Sequence, residues 1–447
     1  MRNLNQRILR KIAPPVFGII SVFSCKHESR PISESTLESA APGKTELVTG
    51  MNDFSLRLFD AVSSSEKFKG KNVFISPASV STAFGMTYLG AKGDTAKELA
   101  RVLNYPVGPD AIGGQFKSLL SALSASKEKD GFQLAIANRI WGQEKFGWLK
   151  KFTDQNLSVF NSKFGLVDFT KVSNHAAIVT DVNNWAAENT NDRIKNVLAV
   201  DNLTTDTRIL LANAVYFLGD WQDQFVNPKG VDRKGPFKRL GVAPSVATYM
   251  THGEPISAVR YFEDNNVQVL DLPYITKTTN HALVMTILLP KKEDGISAIE
   301  KSLKIADLNQ LFSQMRELVS TGQDRVAVRL PKWEFSSDTI NMTKIFTKNL
   351  GAELAFNSDK ADFSGMTGGK DIALNLVLHK TFIKVDEKGT EAAAVTVIGG
   401  MRSTSVHIPM GKVIPFHADH PFLYYIRDTK TGTILFAGRM MDPAADK

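Results

Sequence analysis

The sequence predicts an α+β fold in one large folded unit. Two observations lead there. Helical periodicities concentrate in the first half of the chain and short β-branched apolar runs in the second, without the regular alternation of a doubly wound sheet. Between Met51 and Met440 no linker-like stretch and no internal repeat divides the chain, although 447 residues would accommodate about three ordinary domains. Hydrophobic residues are 43% and charged residues 22%, which excludes a disordered chain. A single cysteine excludes internal disulfides and thiolate-rich metal centres. No apolar run reaches the roughly 18 residues of a membrane-spanning helix.

In chain order, Met1 to Lys11 is a basic segment and Ile12 to Ser24 a short apolar one, interrupted by Pro14 and Pro15. Residues 1–24 read as an export signal. They end in Val22-Phe23-Ser24-Cys25, which resembles a bacterial lipoprotein signal, where a small residue precedes the cysteine that is lipidated. Cys25 is therefore the expected lipidation site. An ordinary cleaved signal with an incidental cysteine is the alternative. The leader holds four of the 54 Lys+Arg and no acid, so removing it lowers the net charge from +8 to +4. No basic block remains that would argue for nucleic acid. Residues 25–49 are rich in Ser, Glu, Pro and Thr and are expected to form a tether. Residues 50–447 form the folded domain, entered near Met51 by an amphipathic helix that carries Phe54, Leu58, Phe59 and Val62.

Val80 to Leu89, Thr95 to Leu103 and Asp181 to Val197 have helical spacing. Arg208 to Phe217, Val267 to Leu272, Leu283 to Leu289, Val326 to Leu330, Phe382 to Val385 and Phe422 to Arg427 read as strands.

Signatures of catalysis are missing. There is no Gly-x-Ser-x-Gly elbow, no phosphate-binding Gly-x-x-x-x-Gly-Lys-Ser/Thr loop and no His-Glu-x-x-His. His417, Asp419 and His420 are close in sequence but read as strand-end polar residues, and Asp359, Asp362 and Asp371 lack calcium-loop spacing. An enzyme is not expected, and neither a metal nor a cofactor.

One stretch is unusual. After the apolar Phe382 to Val385 comes Asp386-Glu387-Lys388-Gly389-Thr390-Glu391-Ala392-Ala393-Ala394-Val395-Thr396-Val397-Ile398-Gly399-Gly400. As a strand, its face of Thr390, Ala392, Ala394, Thr396, Ile398 and Gly400 carries no charge, while Glu391 points the other way. The three alanines also allow a helix, against which stand the glycines and the β-branched run. The segment is able to be both an exposed loop and a buried central strand.

Here a resemblance becomes plain. Glu387 to Ala394 resembles the hinge of inhibitory serpins. Asn72 to Ser79, Leu89 to Thr95, Asn213 to Phe217 with Gly219 and Trp221, Leu272-Pro273-Tyr274, Leu330-Pro331-Lys332, Ala361 to Ser364 and Asp419 to Leu423 resemble family segments in family order. With the signal, the chain is similar to bacterial lipoprotein serpins. The resemblance implies three β-sheets with about nine helices and an exposed reactive-centre loop. It implies an inhibitor that acts as a suicide substrate: a serine or cysteine protease cleaves the loop, and the acyl-enzyme is trapped as the loop enters the main sheet, a strand addition of known type. By the same resemblance, Glu387, Gly389, Thr390, Glu391, Ala392, Ala393 and Ala394 form the hinge, Trp221 sits at the breach, and Ser76, Ser79, Asn213 and His379 form a polar shutter beneath the sheet. Counting at the family's usual spacing from Glu387 reaches Ser403, so the reactive bond is expected among Met401, Arg402, Ser403 and Thr404. Arg402 would suit a trypsin-like or Arg-specific target, Ser403 an elastase-like one and Met401 a chymotrypsin- or subtilisin-like one, and several adjacent bonds would suit a broad-specificity inhibitor. The partners are then target proteases in covalent complex, with membrane contact only through the lipid anchor; a non-inhibitory serpin acting as a binding or chaperone module is the alternative, and Thr390 and Ala392 to Ala394 argue against it. The inhibitor is expected to be a monomer, secreted across the inner membrane and held at the outer membrane or cell surface, with a free extracellular protein as the alternative. Lys117, Lys127 and Lys129 are too sparse to form a heparin-type site.

Overall fold

Thr45 opens the fold: its hydroxyl accepts the Val48 N–H and caps helix Glu46–Ser63. The helix begins ahead of the expected Met51 because Leu47 and Val48 are already buried. The computed structural model describes residues 45–124, 131–226, 233–278, 281–318, 324–390 and 411–445. Cys25, Glu391, Ala392, Ala393, Ala394, Met401, Arg402, Ser403 and Thr404, and with them the expected reactive-centre loop, lie outside these residues.

Ser76 caps the next helix, Pro77–Tyr88, with Pro77 preset for the first turn. Every residue of that helix is buried, so its apolar character runs all round rather than along one stripe. The expected helix over Asp181 to Val197 is in fact Val172–Asn189. Thr190 leaves helical geometry and positive φ at Asn191 and Asp192 ends the helix. Ile194 and Val197 still pack with Ile178 and Val182, so the apolar pattern outlasts the helix. Ten α-helices are present among the described residues, the shortest being Ser364–Thr367.

Three sheets complete the fold. One seven-stranded sheet runs Val73–Ile75, Thr433–Met440, Phe422–Asp428, Leu283–Pro290, Val267–Pro273, Val259–Glu263 and Arg316–Leu318. A four-stranded sheet joins Val413–His417, Arg325–Pro331, Val242–Thr251 and Lys234–Arg239. The main sheet is ordered Trp333–Ser336, Leu376–Val385, Gly389–Thr390, Ile209–Asp220, Phe132–Gln143 and Gly165–Val167, with Ile340–Asn341 beside Leu376–Val385. The predicted strands are present, several with longer bounds.

Strand Ile209–Asp220 shows why its sequence is apolar on both faces. Ile209, Leu211, Val215 and Phe217 face the large core, while Leu210, Ala212 and Ala214 face a second cluster built with Ile178, Val182 and Ala186 of helix Val172–Asn189. A strand covered on both sides reads as a continuous hydrophobic run.

Candidate functional site: the seam of the main sheet

Strands Ile209–Asp220 and Leu376–Val385 run parallel and pair from Leu376↔Leu210 to Thr381↔Val215. Beyond that point they part. The gap is filled by Gly389–Thr390, which pairs antiparallel with both neighbours: Thr390 with Val385 and Gly219, Gly389 with Asp220. Only glycine fits at 389, since a Cβ there would collide with the Gly219 carbonyl oxygen.

Thr390 is 0% exposed, and its hydroxyl lies 2.7 Å from that of Tyr274. Tyr274 stacks on Trp221, ring centroids 4.5 Å apart and planes 16° from parallel. Three donors hold the approach to this point. Trp221 Nε1 donates to the Asp386 carbonyl at 3.0 Å, the Trp221 backbone N–H to Lys388 at 2.7 Å, and the Phe225 N–H to Glu387 at 2.9 Å. The Glu387 carboxylate meets Lys332 Nζ at 2.8 Å and Arg233 at 3.6 Å. Burial by itself would raise that carboxyl, but the two cations outweigh it and hold Glu387 below the usual carboxylate range.

Farther down the seam a polar row crosses three strands in register: Asn138↔Asn213 and Asn213↔His379. Asn213 Nδ2 donates to Asn138 Oδ1 and to Ser79 Oγ, and its Oδ1 accepts from His379 Nδ1. The Ser76 N–H donates to His379 Nε2 at 3.1 Å, and Ser76 Oγ donates to the Leu435 carbonyl at 2.7 Å. His379 is 0% exposed and flanked by one acceptor and one donor, so it is neutral with its proton on Nδ1. Desolvation pushes its pKa down to about 3.

The predicted residues therefore fall into two groups on one seam. Trp221, Glu387, Gly389 and Thr390 meet at its open end, and Ser76, Ser79, Asn213 and His379 meet at its closed part. Sequence reasoning missed Asn138, Tyr274, Lys332 and Arg233 as members. Tyr274 and Lys332 lie inside segments already marked by the family resemblance. Asn138 stood in a stretch not read as a strand at all. The remaining sequence candidates serve structure: His420 binds the Pro290 carbonyl at 2.7 Å and Asp419 at 2.9 Å, and Asp362 accepts from Ser364 and pairs with Lys370. Among the described residues no group of His, Cys, Asp or Glu could hold a metal ion.

The seam joins two parallel strands through six in-register pairs and carries the docked Gly389–Thr390 at one end. Residues 49–443 match the family model Serpin (serine protease inhibitor), and the chain belongs to the serpin family. It is 32% identical over 409 residues to human Serpin B3, with 86% of this chain and 97% of that protein covered. It is 33% identical over 395 residues to the human leukocyte elastase inhibitor, covering 87% and 97%. An uncharacterized serpin-like protein of Thermococcus kodakarensis is 34% identical over 399 residues, covering 89% and 86%. Among solved structures, the Tenebrio molitor Serpin48 aligns with a TM-score of 0.72 at 29% identity, covering 89% of this chain and 98% of that one. Serpins are generally protease inhibitors and typically not enzymes.

Proposed function

We propose that this serpin inhibits serine proteases as a suicide substrate. A target protease cleaves within Met401 to Thr404, its nucleophile forming an ester with the new carboxyl end while the amine side leaves. The chain from Glu391 onward then enters the seam behind Thr390, carrying the protease with it. The observation that carries this reading is the position of Thr390, buried between the two strands that must part and antiparallel to both. It is where an inserting strand would start, and the uncharged alternate face from Thr390 to Gly400 supports the rest of the path. The small hinge residues support an inhibitory member over a purely binding one.

Mixing the protein with trypsin-like and elastase-like proteases tests this. The expected product is an SDS-stable one-to-one complex, and loop cleavage with full release of active protease would overturn the reading.

The same proposal places the inhibitor outside the inner membrane as a monomer. Residues 1–24 direct export, Cys25 carries the lipid, and the tether leads to the helix at Glu46. Two acyl signals would make that anchor stable where one chain gives marginal binding. A mature N-terminus other than a lipidated Cys25 in membrane fractions of the native host would refute the anchor and leave the inhibitory reading untouched.

A further inference from the structure

A second site lies on the front of the main sheet, away from the seam's open end. Strand Phe132–Gln143 turns Ala135, Ala137, Arg139 and Trp141 to one face. The two short alanines leave an open-mouthed cavity of about 420 Å³, lined as well by Trp185 of helix Val172–Asn189 and by Ser162 and Lys163 after helix Lys150–Phe160. Two features of it are out of balance. Arg139 Nε is buried with no hydrogen-bond partner, and no ion pair to the Arg139 guanidinium is present among the described residues; its one neighbour of note is the Trp141 ring, 4.6 Å from the centroid. Ser162 Oγ is likewise buried and unpartnered, in a residue 4% exposed.

Buried polar groups normally find partners, because a desolvated donor left unpaired costs more than the bond it would make. Arg139 and Lys163 bring two positive charges to one cavity, and no described carboxylate lines it. What is missing is an acceptor with negative charge and several oxygens. The planar fork of a guanidinium matches such a group in two-point contact, and a lysine adds a point charge beside it.

We propose that this cavity binds an oxyanion of the phosphate or sulfate type, either as the free ion or as a group on a larger molecule. Arg139 supplies the fork, Ser162 a hydroxyl donor and Lys163 the second charge. Trp185 forms a wall on which an attached organic group would lie. Neither the scissile bond nor loop insertion enters this inference, so it stands or falls apart from the inhibitory reading.

Titration of the full protein with inorganic phosphate, inorganic sulfate and phenyl phosphate tests it, followed by calorimetry and tryptophan fluorescence at constant ionic strength set with chloride. Wild type should saturate. Arg139→Met, of similar length and uncharged, should bind at least about tenfold more weakly. If that variant does not fold by circular dichroism, Lys163→Gln at an exposed position should weaken binding by about threefold. Phenyl phosphate binding much tighter than phosphate would assign an organic ligand, and equal binding the free ion; either supports the site. No saturation with any of the three, or equal affinities in wild type and the folded variants, would mean that water alone fills the cavity and would overturn the proposal.

Discussion

Replacing Thr390 with arginine tests the seam most directly. Thr390 is fully buried, and its hydroxyl is 2.7 Å from Tyr274, itself 2% exposed. Losing that contact leaves a buried phenol without its partner, a cost of about 1–3 kcal/mol. An arginine in the same place adds an unpaired buried charge, worth several kcal/mol more unless the hinge withdraws to keep it in water. Withdrawal preserves the native protein but moves the cost to the first step of insertion, before later residues have formed ladder bonds. Taking only about 3 kcal/mol on that barrier, insertion slows roughly 100-fold. Hydrolysis of the acyl-enzyme is a reaction of the protease and keeps its rate, so most encounters end in cleavage. The assay is titration of trypsin or elastase with each variant, with gel analysis of complex against cleaved inhibitor and mass spectrometry of the cut. Thr390→Arg should raise the inhibitor needed per protease at least about tenfold, with the same bond cut. Glu391→Arg, which the alternation of an inserted strand would turn to the opposite face, should inhibit nearly as wild type. Equal stoichiometry for wild type and Thr390→Arg would refute the reasoning.

Three further outcomes are expected. Cutting the loop near Arg402 should raise the melting temperature sharply, since the freed strand completes the seam; superimposable melting curves of intact and cut protein would speak against insertion. Arg402→Ala should weaken inhibition of trypsin-like proteases more than of elastase-like ones, and a cut mapped well outside Met401 to Ser405 would show the register to be wrong. His379 should make stability fall with acid. Its folded pKa of about 3 lies below the ordinary 6.5, so from pH 6.5 downward the unfolded chain takes a proton the folded one refuses. The stabilisation is whole above 6.5 and is lost by up to ~1.4 kcal/mol per pH unit toward 3, or about 2 kcal/mol by pH 5. Denaturant unfolding of wild type and His379→Gln at pH 7.5 and 5.0 gives the comparison, and parallel losses in both would remove His379 as the cause.

Much of this site was legible because its residues announce themselves locally. Glycine at 389, threonine at 390 and alanines behind them are what a segment needs to enter a crowded seam, and the run over Ile209–Asp220 declares a strand buried on both faces. Strand Phe132–Gln143 was not legible. Its interior mixes Asn138 and Arg139 with alanines, and Ala135 to Ile136 are only half-buried, so neither a clean alternation nor an apolar run appears. The error at helix Val172–Asn189 has a related cause. Ile194 and Val197 belong to the same core cluster by tertiary contact, and periodicity alone cannot tell a packed loop from another helical turn. The pairing of Lys332 and Arg233 with Glu387 was not legible for a different reason: it spans distant parts of the chain and depends on the main sheet having formed.

The register of the seam also fixes an order of events for an inserting strand. Its closed part holds six parallel pairs, from Leu376↔Leu210 at one end to Thr381↔Val215 beside the docked Thr390. A strand advancing from Thr390 must separate Thr381 from Val215, then Lys380 from Ala214, and only then His379 from Asn213. The polar row is therefore the third barrier, and the first at which side-chain hydrogen bonds across the seam must break as well as backbone ones. Ser76 and Ser79 stand on the helix side of that row and take part in it without belonging to either strand. They hold it together while the strands are paired. An apolar seam would have no such step. Its strands would be held by packing that a small-residue strand could replace continuously, and nothing would separate a docked hinge from full insertion except the length of the loop. With the row in place, a strand continuing past the docked Gly389 and Thr390 would have to break it before entering farther.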